Sequence, residues 1–126
     1  MNYLLDTHVY LWWQSEQDQL SETARSAIKD VSNTIFISAA VPWEITIKRN
    51  LGKLKAPENI MDFMEVDNFL PLSISYEHIS ILAKLTDHHH DPFDRIQIAQ
   101  AIAEDLTLIT RDKQILKYEE VKTLEA

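Results

Sequence analysis

The 126-residue sequence contains no cysteine, one glycine and four prolines. Without cysteine there is no disulfide framework, no zinc ribbon and no thiol nucleophile, and the composition suits a reducing compartment. A single glycine leaves no phosphate-cradling loop. With so few prolines it implies short connections between regular elements, and no repeat or low-complexity linker interrupts them. No apolar run approaches the ~20 residues that span a bilayer. The amino terminus, interrupted by Asp6, lacks the basic stretch and apolar core of a signal peptide. Positive charge is also scarce: 12 Lys and Arg against 20 Asp and Glu leave a net charge of −8. That balance repels phosphates at long range and argues against a generic nucleic-acid coat. Together these absences predict a soluble, cytoplasmic protein of one domain, residues 1–126, without membrane contact.

What remains is ordinary globular material, 45% hydrophobic and 25% charged. The few basic residues cluster. Lys48, Arg49, Lys53 and Lys55 follow Glu44, while Arg95, Arg111 and Lys113 flank later acids. A basic rim around a pit of carboxylates would hold RNA. The same charges also suit solvated helix faces or a basic peptide partner in the pit.

Strands and helices alternate along the chain. Asn2 to Leu5, Ile35 to Ile37, Phe69 to Leu72, Thr107 to Ile109 and Val121 to Leu124 read as short strands, the last at an edge. The helices between them are expected at Val9–Trp13, Glu22–Asp30, from Pro42 to near Gly52, at Glu58–Val66, at Tyr76–Lys84 and from Asp91-Pro92 to about Asp105. Ser21 and Asp91 are good N-caps, and Pro at a helix start with Gly past its end is the usual asymmetry. Ala24, Ile28 and Val31 suggest an inner face for the second helix. Apolar strands without polar alternation indicate a mainly parallel sheet of four or five strands covered on both faces. Sites in such sheets lie beyond the carboxyl ends of the strands.

Four acids fall where elements end: Asp6 after the first strand, Glu44 in Pro42-Trp43-Glu44-Ile45, Asp94 in the first turn after Asp91-Pro92, and Asp112 in Thr110-Arg111-Asp112. Each has a plain structural alternative. Asp6 and Asp112 suit N-caps, Glu44 suits an ion pair with Lys48 four residues on, and Asp94 suits the positive end of a helix dipole. Asp91 has an adequate task as N-cap. Glu44, however, shares a face with Ile47 and Leu51, and Asp94 shares one with Ile98 and Ala101. Four converging buried carboxylates require a compensating cation. All-oxygen ligation suits Mg²⁺ or Mn²⁺, which activate water for phosphodiester hydrolysis. His88, His89 and His90 invite a zinc reading, but adjacent loop residues rarely all face one ion. They read as a solvated loop, with His90 the member nearest substrate. Trp12, Trp13 and Trp43 suit base stacking, although core packing is expected for at least two of them.

Leu5-Asp6-Thr7-His8, Ser38 through Trp43-Glu44-Ile45, Asp91-Pro92-Phe93-Asp94-Arg95 with Ile98-Ala99-Gln100-Ala101, and Leu108-Ile109-Thr110-Arg111-Asp112 occur together in this order. In that ordered set the whole chain resembles PIN-domain ribonucleases, specifically the VapC-type toxins of bacterial toxin–antitoxin pairs. The resemblance implies an α/β/α sandwich and a metal-dependent endoribonuclease. Its Mg²⁺ or Mn²⁺, one or two ions, would be held by Asp6, Glu44, Asp94 and Asp112. It further implies that Thr7 and Thr110 orient carboxylates or water, that the protein is a homodimer, and that a small antitoxin occupies its groove. Lys48, Arg95 and Arg111 are candidate phosphate contacts, with Asp91 in support. A PIN-like RNA-processing nuclease outside a toxin system, or an inactive RNA- or protein-binding module, would carry the same motifs. A haloacid-dehalogenase-like phosphatase needs a second Asp where this chain has His8. A phosphoacceptor receiver domain needs one near Leu72-Ser73-Ile74.

Overall fold

In the computed structural model, which describes residues 1–126, five strands form one sheet. They are β1 (Asn2–Leu5), β2 (Thr34–Ser38), β3 (Leu70–Leu72), β4 (Thr107–Thr110) and β5 (Thr123–Glu125). The order is β3-β2-β1-β4-β5, and every pairing is parallel. β1 sits at the centre, with Leu4 opposite both Phe36 and Leu108. Five helices cover the faces: α1 (Thr7–Ser15), α2 (Glu22–Lys29), α3 (Ala40–Asn50), α4 (Tyr76–Leu82) and α5 (Pro92–Ala103). None is long and apolar enough to cross a membrane.

Pleating divides the sheet's side chains between two cores. Tyr3, Leu5, Ile35, Ile37 and Ile109 pack with Val9, Tyr10, Ala24, Ile28, Val41 and Ile45 of α1 to α3. Leu4 and Leu108 pack with Ile98 and Ala101 of α5 and with Tyr118. This is the expected three-layer α/β/α sandwich. Because the strand order reverses at β1, successive crossovers diverge there, and the carboxyl ends of β1 and β4 open a crevice between them. Asp6 and Asp112 follow those two strands.

Helix ends obey local chemistry. The Ser21 hydroxyl accepts from Ala24 N–H at 3.1 Å and starts α2. Gly52, at φ +70°, lies just past α3, where Lys53 N–H donates back to Lys48 O. At the end of α5 the same job falls to Asp105, at φ +55°, with Leu106 N–H donating to Ala101 O. Two expectations fail. Val31 is fully exposed, because α2 stops at Lys29 and Asp30 turns the chain by accepting from Ser32. The helix expected over 58–66 is a single 3₁₀ turn, Ile60–Phe63. Its first carbonyl, on Ile60, accepts from the buried Tyr10 hydroxyl at 2.7 Å. Tyr10→Phe should remove this buried hydrogen bond and cost about 0.5–1.5 kcal/mol in urea unfolding, with little change in the denaturant slope.

Candidate active site

The acidic residues reach one place from four elements. Asp6 is the N-cap of α1, and its Oδ1 accepts from Val9 N–H at 2.9 Å. Its Oδ2 accepts from the buried Thr110 hydroxyl at the end of β4. One carboxylate therefore caps a helix and also ties β1 to β4. Glu44, on α3, is buried to 2% exposure. Its Oε1 accepts from the Thr7 hydroxyl at 2.5 Å, and its Oε2 accepts from the Lys48 ammonium. The i, i+4 ion pair exists, but it points inward. The inner face of α3 runs through Ala40, Val41, Glu44 and Ile45, whereas Ile47 and Leu51 are exposed. The neighbours that suggested burial are thus on the wrong side, although Glu44 itself is buried.

Asp91 caps α5, accepting from Phe93 N–H at 2.8 Å and Asp94 N–H at 3.2 Å. Asp94 stands one turn further on. Asp112 Oδ1 accepts from Gln114 N–H at 2.8 Å, and its own N–H donates to the Thr110 hydroxyl. The side chains of Asp6, Glu44, Asp91, Asp94 and Asp112, with His8, Trp12, Lys48, His89 and Arg111, line an open cleft of about 390 Å³. All four acids of the expected quartet face it.

Their proximity leaves an electrostatic signature. Burial, and then the charges of Asp91, Glu44, Asp6 and Asp112, push the Asp94 carboxyl up to about 8. Burial also raises Asp6, against the opposing hydrogen bonds from Thr110 and Val9. For Lys48, burial acts downward, but the hydrogen bond and charge of Glu44, with Asp91 and Asp94, outweigh it and hold the ammonium above its usual range. Lys48 and Arg111 together do not balance the five acids that line the cleft. An all-oxygen donor set with surplus negative charge fits a hard divalent cation such as Mg²⁺ or Mn²⁺.

The supporting residues divide. Thr7 and Thr110 both donate to acids of the quartet. Arg111 lines the cleft, its guanidinium 4.5 Å from the Trp12 ring centre and its Nε donating to Ala126 O. Arg95 lies outside the lining. Its Nη1 donates to Thr86 O, His89 O and the Tyr118 hydroxyl, so it fixes the preceding loop instead of reaching for phosphate. A helix turns by about 100° per residue, which carries Arg95 away from the direction of Asp94.

The histidine run splits three ways. His88 packs edge-on against Tyr118, His90 is almost wholly exposed, and His89 turns inward with Nε2 2.8 Å from Asp94 Oδ2. His89, not His90, is the member at the site. His8 also lines the cleft unexpectedly, one turn from Trp12, and its i, i+4 spacing to that residue was the available signal. Trp12 and Trp13 pack against the core, whereas Trp43 is half-exposed and meets Phe93 edge-on.

The PIN domain model matches residues 3–121. This chain belongs to the PIN-domain family. It is similar to ribonuclease VapC16 of Mycobacterium tuberculosis, at 42% identity over 65 residues, covering 48% of this chain and 45% of that protein. It is similar to ribonuclease VapC22 of the same organism at 25% identity, over 89% of this chain and 88% of that protein. Among solved structures, VapBC2 from Rickettsia felis bound to a promoter DNA fragment aligns with a TM-score of 0.74 and 20% identity. That alignment covers 100% of this chain and 99% of the matched one. DNA-bound VapBC from Salmonella typhimurium aligns at 0.73 and 15%, over 99% and 98%. At those identities the two structures establish a shared fold for this PIN domain.

In this PIN domain, substitution separates the capping task of Asp91 from the ligand role expected of Asp94. Asp91→Asn should keep the cap, because Asn caps helices as well as Asp, and should retain appreciable RNA cleavage. Asp94→Asn should abolish it. Equal, complete inactivation of both variants in a cleavage assay would place Asp91 among the essential acids.

Proposed function

We propose that this PIN domain, residues 1–126, is a metal-dependent endoribonuclease acting in the cytoplasm as the toxin of a toxin–antitoxin pair. The observation that carries the proposal is the meeting of Asp6, Glu44, Asp94 and Asp112, from four separate elements, in one cleft. The names of the similar ribonucleases and of the VapBC structures support the same reading. Its partners are an RNA substrate, a small antitoxin and a second copy of the chain.

Mg²⁺ or Mn²⁺ held by the quartet would supply positive charge to the phosphate and lower the pKa of an attacking water. The protein's own residues prepare the place. Thr7 and Thr110 fix the rotamers of Glu44 and Asp6, so those carboxylates need little reordering. Arg111, braced by Trp12 and Ala126 O, and Lys48 put positive charge on the walls of the cleft, where an RNA backbone would approach. This local charge opposes the long-range repulsion of the net −8.

The direct test incubates purified protein with labelled tRNAs and mRNAs, with chelator or with Mn²⁺. Cleavage should require the ion and disappear in Asp94→Asn. RNA binding without cleavage in Mn²⁺ would indicate an inactive binding module. Cleavage by a protein that no co-expressed antitoxin restrains would indicate an RNA-processing nuclease.

Self-association has its own support. Trp43, Ile47 and Leu51 form an exposed apolar row on α3 at 52%, 41% and 62% exposure, a surface that a second copy would cover. Light scattering at micromolar concentration should give about twice the 14.7 kDa chain mass. A monomer at every concentration would remove the dimer and leave the nuclease reading intact.

A further inference from the structure

His89, Asp94 and Asp112 each offer a ligand atom within 4.8 Å of the others, the arrangement of a mixed nitrogen and oxygen metal site. We propose instead that His89 is a positioning residue. It donates one N–H between Asp94 and Asp112 and leaves metal ligation to oxygen alone. This rests on the nuclease reading above.

The ring's other nitrogen fixes its tautomer. His89 lies two residues ahead of the N-cap of α5, and its Nδ1 faces the backbone N–H groups of His90 at 3.0 Å and Asp91 at 3.3 Å. Backbone N–H only donates, so Nδ1 must present its lone pair. A neutral imidazole has one such nitrogen and one N–H, which puts the proton on Nε2. That nitrogen lies 2.8 Å from Asp94 Oδ2 and 3.3 Å from Asp112 Oδ2, and carboxylates that have given up their protons, as those binding an ion have, only accept. Both ends of the ring therefore favour the same tautomer.

A metal-binding histidine has the opposite arrangement, in which the non-ligating nitrogen donates to a carboxylate or carbonyl. For Nε2 of His89 to bind an ion, its proton would have to move to Nδ1, where it would meet two N–H groups. The ring is built as a donor. It joins the start of α5 to the loop after β4, two segments that meet only in the folded chain. Arg95 strengthens the join by donating to His89 O and to Thr86 O. Carboxylate oxygens carry further lone pairs, so Asp94 and Asp112 remain able to bind an ion while His89 holds them.

Two measurements test this. Nitrogen-15 NMR of the ring, above the pH at which histidine protonates, should report the Nε2–H tautomer in the metal-free and Mg²⁺-loaded protein alike. An Nδ1–H tautomer in the loaded protein would make His89 a ligand and overturn the proposal. Mn²⁺ calorimetry without RNA should show His89→Ala weakening binding by about ten-fold or more, the usual loss when an outer partner of a ligand is removed. His89→Gln, which carries an amide N–H out to about the position of Nε2, should restore most of it. Equal loss in both variants, or no loss in His89→Ala, would overturn the proposal. If Asp94→Asn also bound Mn²⁺ as tightly as wild type, the metal-site reading would fail, whereas the NMR result would still stand by itself.

Discussion

Asp94→Asn should melt higher than the unsubstituted protein in chelator while losing RNA cleavage. Burial and four neighbouring acids raise the Asp94 carboxyl to about 8, from 3.8 in the unfolded chain. The folded protein therefore holds this proton more tightly than the unfolded one. Between about pH 4 and pH 8 the folded state carries the extra proton, so metal-free stability falls as pH rises, by at most about 1.4 kcal/mol per pH unit. At neutral pH the folded chain must hold that proton well above its ordinary value, and at higher pH it must bear a repelled charge; Asn avoids both costs. The gain should be about 1–2 kcal/mol, or a few degrees in melting temperature. Mn²⁺ should reverse the order. At a hundredfold excess over its dissociation constant it stabilises wild type by about 2.7 kcal/mol and the variant by less. A variant that melts lower in chelator and gains equally from Mn²⁺ would mean that these acids are separate structural caps.

The acids were legible in the sequence to the extent that local rules fixed their direction. Asp6 and Asp112 follow buried strands, so a parallel sheet places them at the carboxyl edge whatever the surrounding detail. Asp91-Pro92 fixes where α5 begins, and that phase aligns Asp94 with Ile98 and Ala101, both buried. Glu44 was identified through Ile47 and Leu51, which face outward. Periodicity marked an apolar row on α3 without telling which row meets the sheet. The inward turn of His89 depends on a loop in which its own ring accepts two backbone N–H groups, and no periodic signal encodes that. The Ile60 turn likewise depends on a hydroxyl 50 residues away. A structural task does not keep a carboxylate out of the cleft. Asp6 caps α1 and Glu44 pairs with Lys48, and both carboxylates nonetheless line the cleft.

Lys48 should prove to be an internal cation whose loss a bound ion repairs. Its ammonium pairs with Glu44, whose side chain is 3% exposed, and lies 3.7 Å from Asp91 Oδ2. Removing one member of a buried pair leaves the other charge without compensation, typically a loss of about 3–5 kcal/mol. Lys48 is 30% exposed, so some screening by water should bring the loss for Lys48→Met nearer 2–3 kcal/mol in chelator. The double variant Glu44→Gln with Lys48→Met should recover most of that, because an amide needs no counter-charge and can still accept from Thr7. The double-mutant cycle should therefore give a coupling well above the ~0.5 kcal/mol expected for exposed helical pairs. Metal adds a sharper test. Lys48 donates to Glu44, an acid that the quartet would offer an ion, so Lys48→Met should gain more melting temperature from Mn²⁺ than wild type and bind it more tightly. Near-zero coupling together with an unchanged Mn²⁺ affinity would show that Lys48 is an ordinary solvated lysine and that the cleft's charge is balanced elsewhere.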